Sequence, residues 1–222
     1  MKPEALLEFL AGHIAEIHLS HPLRIAVDGV DASGKTYFAD ALSKTLKVFH
    51  REAIRASIDG FHNPESIRRQ RGDLSPEGFY HDSFNYPTLI TNLLAPLGPG
   101  GSLHYRTQVF DLVKDQPAEP PLKTASKDAI LLVDGIFLLR PELLPYWDLT
   151  IFLHADFKHT VSRGAKRDTD LFGSKQIAEN RYWNRYVPGQ ELYFKQVNPQ
   201  NEADILIDNN NLEEPKLLTS PF

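Results

Sequence analysis

The chain has 222 residues, enough for one sizeable α/β domain, here taken as residues 1–222, and short for two independent ones. Hydrophobic residues make up 41% and charged residues 24%, the balance of a globular chain, and no low-complexity tract or internal repeat interrupts it. With 24 Lys and Arg against 29 Asp and Glu, the net charge of −5 argues against nucleic acid or an anionic membrane as a partner. The absence of cysteine excludes disulfide stapling, thiolate catalysis and cysteine-ligated metals, and it suits a reducing compartment. The longest apolar run, Ala129 to Leu139, carries Asp134 and falls well short of the roughly 20 residues of a membrane helix. Glu4, Glu8 and Glu16 interrupt the stretch that a signal peptide would keep apolar, so a cytoplasmic location is expected.

In chain order, Pro3 to Leu19 places Leu6, Leu7, Leu10, Ile14 and Ile17 on one face, with a proline at the start where its missing N–H costs little. This predicts an amphipathic helix within residues 1–22. Arg24-Ile25-Ala26-Val27-Asp28 is an apolar run ending at a glycine-rich turn, and a helical pattern follows from Lys35 to Leu46. Ala53 to Ile58, Ala129 to Val133, Leu149 to Leu153 and Ala203 to Ile207 read as further buried strands, separated by segments long enough for crossover helices. The alternation predicts an α/β fold with a doubly wound, mostly parallel sheet. Residues 61–121 break the pattern, being rich in Pro, Gly, aromatic and charged residues, with Leu97-Gly98-Pro99-Gly100-Gly101 as a strong turn signal. They read as an insertion at the rim of the sheet, where α/β proteins bind ligands.

Gly29-Val30-Asp31-Ala32-Ser33-Gly34-Lys35-Thr36 fits G-x-x-x-x-G-K-[ST] between a predicted strand and a predicted helix. The glycines let the backbone wrap a polyphosphate so that N–H groups and the positive helix end face it. Gly29, Asp31, Ala32, Ser33, Gly34, Lys35 and Thr36 are therefore the expected nucleotide-binding residues. Lys35 reaches the β- and γ-phosphates of ATP, and the Thr36 hydroxyl joins the shell of Mg²⁺. Asp134, at the tip of Ile130-Leu131-Leu132-Val133, is the expected second metal residue. Asp59, in Ser57-Ile58-Asp59-Gly60-Phe61-His62, ends the strand after the first crossover helix. On the shared rim it can accept a proton from an attacking hydroxyl. A guanine-reading N-K-x-D is absent, which favours a kinase over a GTPase switch. No H-E-x-x-H or G-x-S-x-G occurs, and His13, His18, His21 and His50 have no acidic partner at ligand spacing.

The phosphate loop with Asp31 inside it, Asp59-Gly60-Phe61-His62, Val133-Asp134-Gly135-Ile136, Arg167-Asp168 and Ala203-Asp204-Ile205-Leu206-Ile207-Asp208-Asn209 together resemble the uridine kinase and phosphoribulokinase family. Order and spacing match across roughly Arg24 to Asn209. The resemblance implies a P-loop NTPase fold of the nucleoside-monophosphate-kinase type, a three-layer α/β/α arrangement with a lid and a rim insertion. It also implies ATP and Mg²⁺, transfer of the γ-phosphoryl group to a hydroxyl of a small metabolite, and Asp59 as the catalytic carboxylate. Residues 163–190 become the lid, and Arg163 and Arg167, at i, i+4 spacing, the cations over the transferring group. On the acceptor side the candidates are Phe61, His62, Tyr80, Asp82, Phe84 and Tyr105, the aromatic faces to stack on a base and the carboxylate to hold ribose hydroxyls.

A nucleoside such as uridine or cytidine leads among the acceptors. Around Tyr105-Arg106-Thr107, however, the chain lacks the Thr-His-Ser-Arg run of uridine kinases. A sugar phosphate or a pantothenate-like acceptor stays open, as does a regulatory protein that binds nucleotide without acceptor turnover. A small-molecule substrate is expected, with no nucleic-acid or membrane partner and with a homo-oligomer left open. For Arg181 and Arg185, sequence does not separate substrate contact from packing.

Overall fold

Five parallel strands set the position of everything else. The computed structural model describes residues 1–222. In chain order they form helix α1 (Pro3–Ala15), strand β1 (Leu23–Gly29), helix α2 (Lys35–Val48) and strand β2 (Ala53–Ser57). The rim segment follows, with short helices α3 (Glu65–Arg68), α4 (Pro76–Asp82) and α5 (Tyr86–Leu89). It continues through two-residue strands β3 (His104–Tyr105), β4 (Phe110–Asp111), β5 (Gln116–Pro117) and β6 (Lys123–Thr124). The chain returns to the sheet as β7 (Ile130–Asp134) and β8 (Leu149–His154). It then passes through α6 (Phe157–Arg167), α7 (Thr169–Phe172), α8 (Lys175–Arg181), α9 (Val187–Val197) and α10 (Pro199–Glu202), and ends in β9 (Ile205–Asp208) and β10 (Lys216–Thr219).

The strand order is β10-β9-β8-β1-β7-β2. All neighbours run parallel except β10, which pairs antiparallel with β9. The chain leaves β1 toward β2 on one side and later crosses to β8 on the other, so the loop after β1 opens into the crevice at the reversal of strand order. Register fixes the neighbours of that loop: Val27 pairs with Asp134, and Asp134 pairs with Ser57. Three strand ends thus finish level on one rim. All five predicted strands are present; β10 was not foreseen, because as a short edge strand it has only half-buried Leu217 to mark it.

Side chains alternate between the two faces as the pleat requires. Ile25, Val27, Ile130, Leu132, Ile151 and Leu153 face α1 and α2, whereas Ala26, Leu131, Val133 and Phe152 face the rim segment and α9. On α1, Leu6, Leu10 and Ile14 are fully buried, each contributing roughly 2 kcal/mol. The helix ends at Ala15, short of the predicted Leu19, and the Arg51 guanidinium donates to the Ala15 and Ile17 carbonyls that the helix leaves open. In the rim, local rules hold. Ser75 caps α4 by accepting from Gly78 N at 3.0 Å, and Asn85 caps α5 by accepting from Thr88 N at 3.1 Å. Two π-turns, Ile90–Leu94 and Tyr182–Tyr186, extend α5 and α8. No helix is long and apolar enough to cross a membrane.

At the base of β1, the Arg24 guanidinium is 5% exposed and donates to both Asp148 oxygens at 2.9 Å, and Arg24 N donates to the same carboxylate. Removing one partner strands the other charge in the interior. Asp148→Ala is expected to lower unfolding free energy by about 3 kcal/mol in urea denaturation. An unchanged midpoint would show that the pair contributes nothing.

Candidate active site

The loop after β1 has the backbone shape of a phosphate cradle. Gly29 has φ 153° and Gly34 φ 97°, a region that favours glycine, and a Cβ on Gly29 would sit 2.6 Å from the Leu153 carbonyl oxygen. Lys35, at the start of α2, is 8% exposed and its Nζ donates to the Val30 carbonyl at 2.7 Å. Burial pulls its ammonium pKa down against the charges of Asp31, Asp28, Asp134 and Asp59. The Ser33 hydroxyl is fully buried with no partner.

Beside the loop, Thr36 Oγ1 donates to Asp134 Oδ2 at 2.6 Å. The other Asp134 oxygen accepts from Arg55 Nη2 at 2.8 Å, on neighbouring β2. Asp59 lies two residues past the end of β2, in a 3₁₀ turn (Ile58–Phe61) that Ser57 caps by accepting from Asp59 N. Its carboxylate, not needed as a cap, is 68% exposed and 3.4 Å from His62 Nε2, while His62 Nδ1 lies 2.9 Å from the Ser83 carbonyl. Desolvation pushes Asp59 up, but the hydrogen bond and charge of His62, with Lys35 and Arg167 behind them, hold it below the usual carboxylate range.

The predicted lid arginines share α6 but not a target. Arg163 donates to the carbonyls of Asn209 and Asn210, whereas Arg167 chelates Asp168 at 2.7 and 3.0 Å and donates to Tyr182 Oη. Arg167 is the one that acts electrostatically on Asp31 and Asp59. Arg181 and Arg185 serve as clamps. Arg185, 5% exposed, donates to the carbonyls of Gly72, Asp73 and Arg68, and Arg181 donates to Asp73 O, so the segment after α7 grips the rim loop before α4.

The acceptor-side candidates are less open than their aromatic character suggests. Phe61, Tyr80, Phe84 and Tyr105 are 0, 2, 5 and 6% exposed. The Tyr80 ring lies under the Arg140 guanidinium at 4.4 Å, and Phe84 packs on His62 at 4.5 Å. Asp82 is buried and pairs with Arg71 Nε at 2.7 Å. What is open is a cleft of about 490 Å³ that begins at His62 and is lined by polar groups of the α5 region and Arg106 together with apolar Val109, Phe110 and Pro117. Tertiary folding also supplies two histidines with the carboxylates their spacing did not show: His18 Nδ1 lies 2.8 Å from Asp128, and His21 Nδ1 3.8 Å from Asp148.

Several residues around the loop escaped the sequence reading. Gln190 on α9 accepts from Asp31 N at 2.6 Å, and Asn209 donates to the Ser33 carbonyl at 2.7 Å. Asp28, fully buried, accepts from Gly29 N, Leu138 N, Leu139 N and Tyr193 Oη. Asn209 and Asp28 at least sit inside quoted motifs; Gln190 and Arg55 carry no local signal at all.

The fold is that of the P-loop kinases. A structure from Bacillus stearothermophilus, described as a possible uridine kinase, superposes with a TM-score of 0.71 at 20% identity, covering 90% of this chain and 96% of its own. Uridine-cytidine kinase B of Dictyostelium discoideum is 28% identical over 192 residues, 86% of this chain and 76% of the relative. A pantothenate kinase of Streptococcus thermophilus is 26% identical over 180 residues, 76% of this chain, which spans only 56% of that relative's length. No family model matches the chain. By sequence and by fold it is similar to the uridine kinase-like group of P-loop kinases, as its ordered motifs lead one to expect.

Asp28 also makes the site pH-dependent. Burial raises its pKa from 3.8 to about 6, against the opposing effect of hydrogen bonds from Tyr193 and Gly29 and the charge of Lys35. A carboxyl with a raised folded pKa contributes stability that is present below pH 4 and is lost as pH rises through about 6, up to about 3 kcal/mol. The stability difference between wild type and Asp28→Asn, from denaturant titrations, is therefore expected to grow as pH falls from 7.5 to 4.5. A difference that stays constant would mean that Asp28 does not titrate in this window.

Proposed function

We propose that the protein is an ATP- and Mg²⁺-dependent phosphotransferase that moves the γ-phosphoryl group to a hydroxyl of a small metabolite. The observation that carries this reading is the common rim: Lys35, the Thr36–Asp134 pair and the exposed Asp59, paired only with His62, stand at the ends of β1, β7 and β2. The residues fit Mg-ATP. A glycine-shaped cradle, a lysine held on its own loop carbonyl, a buried Ser33 hydroxyl without partner and a hard oxygen pair suit phosphate and Mg²⁺. When bound, the ion would neutralise charge on the phosphate oxygens, with Thr36 and Asp134 holding it.

The chain's own residues supply the rest. Lys35 exchanges the Val30 carbonyl for the β- and γ-phosphate oxygens. Arg55 holds one oxygen of Asp134 so that the other stays turned toward Thr36. Asp59 takes the proton of the acceptor hydroxyl as that oxygen bonds to phosphorus and the bond to the leaving ADP breaks. His62, with Nδ1 on the Ser83 carbonyl and Nε2 on Asp59, orients that carboxylate. Arg167, which reaches Asp31 and Asp59 electrostatically, adds positive charge beside the loop, and a closed lid would exclude water that would otherwise hydrolyse ATP. The names of the relatives point to two acceptors, uridine or cytidine and pantothenate, which supports phosphoryl transfer while leaving the acceptor to the rim.

Asp59→Asn is expected to lower acceptor-dependent ADP release by about 10²- to 10⁴-fold with ATP affinity unchanged, and Lys35→Ala to lose ATP binding itself. Full turnover by Asp59→Asn would remove Asp59 from the mechanism. ADP release by wild type that no acceptor stimulates would sink the transfer reading as a whole.

A further inference from the structure

The cleft beyond His62 has a chemistry of its own. Arg106 lines it, as do Asn85, Thr88 and Asn92 of the α5 region. Arg106 Nε donates to the Pro120 carbonyl at 2.9 Å, the guanidinium's one hydrogen bond within the protein. Its two terminal nitrogens have no hydrogen-bond partner, and it forms no ion pair. Glu119, the one acidic side chain of the lining, is exposed and does not pair with it. An arginine held by Nε alone presents a two-pronged donor edge that matches a carboxylate or phosphate.

The second cleft on this rim, about 370 Å³ and lined by Asp59 itself, offers the opposite. Its arginine, Arg55, is spent on Asp40, Asp134 and two carbonyls, and Asp59 and Asp111 give it negative charge. Of the aromatic side chains expected to stack on a flat base, Tyr80 is covered by Arg140 and Phe84 by His62, and Tyr105 is in the core; Phe110, which lines both clefts, is itself 5% exposed. The cleft that begins at His62, which itself lies 3.4 Å from Asp59, keeps the one cation with unpartnered terminal nitrogens.

We infer that the acceptor is a small hydroxylated oxyanion, anchored through its carboxylate or phosphate by Arg106 in the cleft that begins at His62, with its hydroxyl delivered to Asp59. The inference rests on the kinase reading for the role of Asp59, but the anion site stands on the Arg106 geometry and can be tested without turnover. Arg106 is a specificity residue here. Asn85 Nδ2 and Asn92 Oδ1, free of protein partners, are suited to the other hydroxyls or amides of such a molecule.

The test is equilibrium binding by calorimetry, in the presence of Mg-ADP, of D-glycerate and pantothenate as carboxylates, ribose 5-phosphate as a phosphate ester, and uridine and cytidine as neutral probes. At least one oxyanion is expected to saturate. Its affinity should fall about ten- to hundredfold in Arg106→Gln, and less in Arg106→Lys, which keeps the charge and loses the fork. Circular dichroism and Mg-ADP affinity establish that both variants are folded. Which oxyanion binds separates the carboxylate from the phosphate source. Binding of uridine or cytidine alone, an oxyanion affinity indifferent to Arg106, or no oxyanion binding up to millimolar concentration would each overturn the inference. Coupled ADP release is measured in parallel: Arg106-dependent binding without ADP release would sink the kinase reading and leave the anion site standing, whereas turnover of a neutral nucleoside would do the reverse.

Discussion

A single buried carboxylate ties the working parts together. Asp28, next to last in the central strand, has no solvent contact, and its two oxygens take up the first N–H of the glycine-rich loop, two N–H groups of the segment after Asp134, and the Tyr193 hydroxyl from α9. Without Asp28, Gly29 N, Leu138 N and the Tyr193 hydroxyl would be buried donors without this partner, at a cost of about 1–3 kcal/mol apiece, while Leu139 N also donates to Tyr193 Oη. Their common solution places the loop, the metal-side strand end and the helix that caps the loop in one geometry. Gln190, one turn before Tyr193 on α9, then accepts from Asp31 N, so the helix holds both the anchor and the first half of the loop.

From that anchor the rim divides by charge. Around the loop, Lys35 lies among Asp31, Asp28, Asp134 and Asp59, a surplus of carboxylates that suits a divalent cation, with Lys35 the buried positive charge among them. On the acceptor side the aromatic residues serve packing, with Phe79, Tyr80 and Phe84 forming edge contacts around Phe137, and the polar surface passes to α5 and the short strands. Between the two, Arg181 and buried Arg185 donate to carbonyls of the rim loop, tying the segment after α7 to the loop before α4.

The residues whose roles could be argued beforehand share one property: their chemistry is written in contiguous sequence. Gly29 to Thr36 is a single run whose backbone demands follow from its own composition, and Asp59 and Asp134 follow directly on strands that announce themselves by apolar runs. Arg163 and Arg167 mark the boundary of that approach. Their spacing put them correctly on one helix, yet the turn at Asp168 and the approach of Asn209 and Asn210 send their guanidinium groups to different partners.

The sequence by itself determined the strand and helix pattern, the parallel class of the sheet and the phosphate loop, because each rests on local periodicity or on a contiguous motif. Tertiary structure alone decided that Asn209 braces Ser33 from 176 positions away, that Gln190 caps Asp31 from 159, and that Arg55 holds the second oxygen of Asp134. It also decided that Tyr80 and Phe84 turn inward while Arg106 is left with free donors. Whether an aromatic ring stacks on a ligand or on a neighbour, and whether an arginine meets a carboxylate or a cleft, depends on what the fold brings within a few ångströms, and residue spacing along the chain carries no record of that.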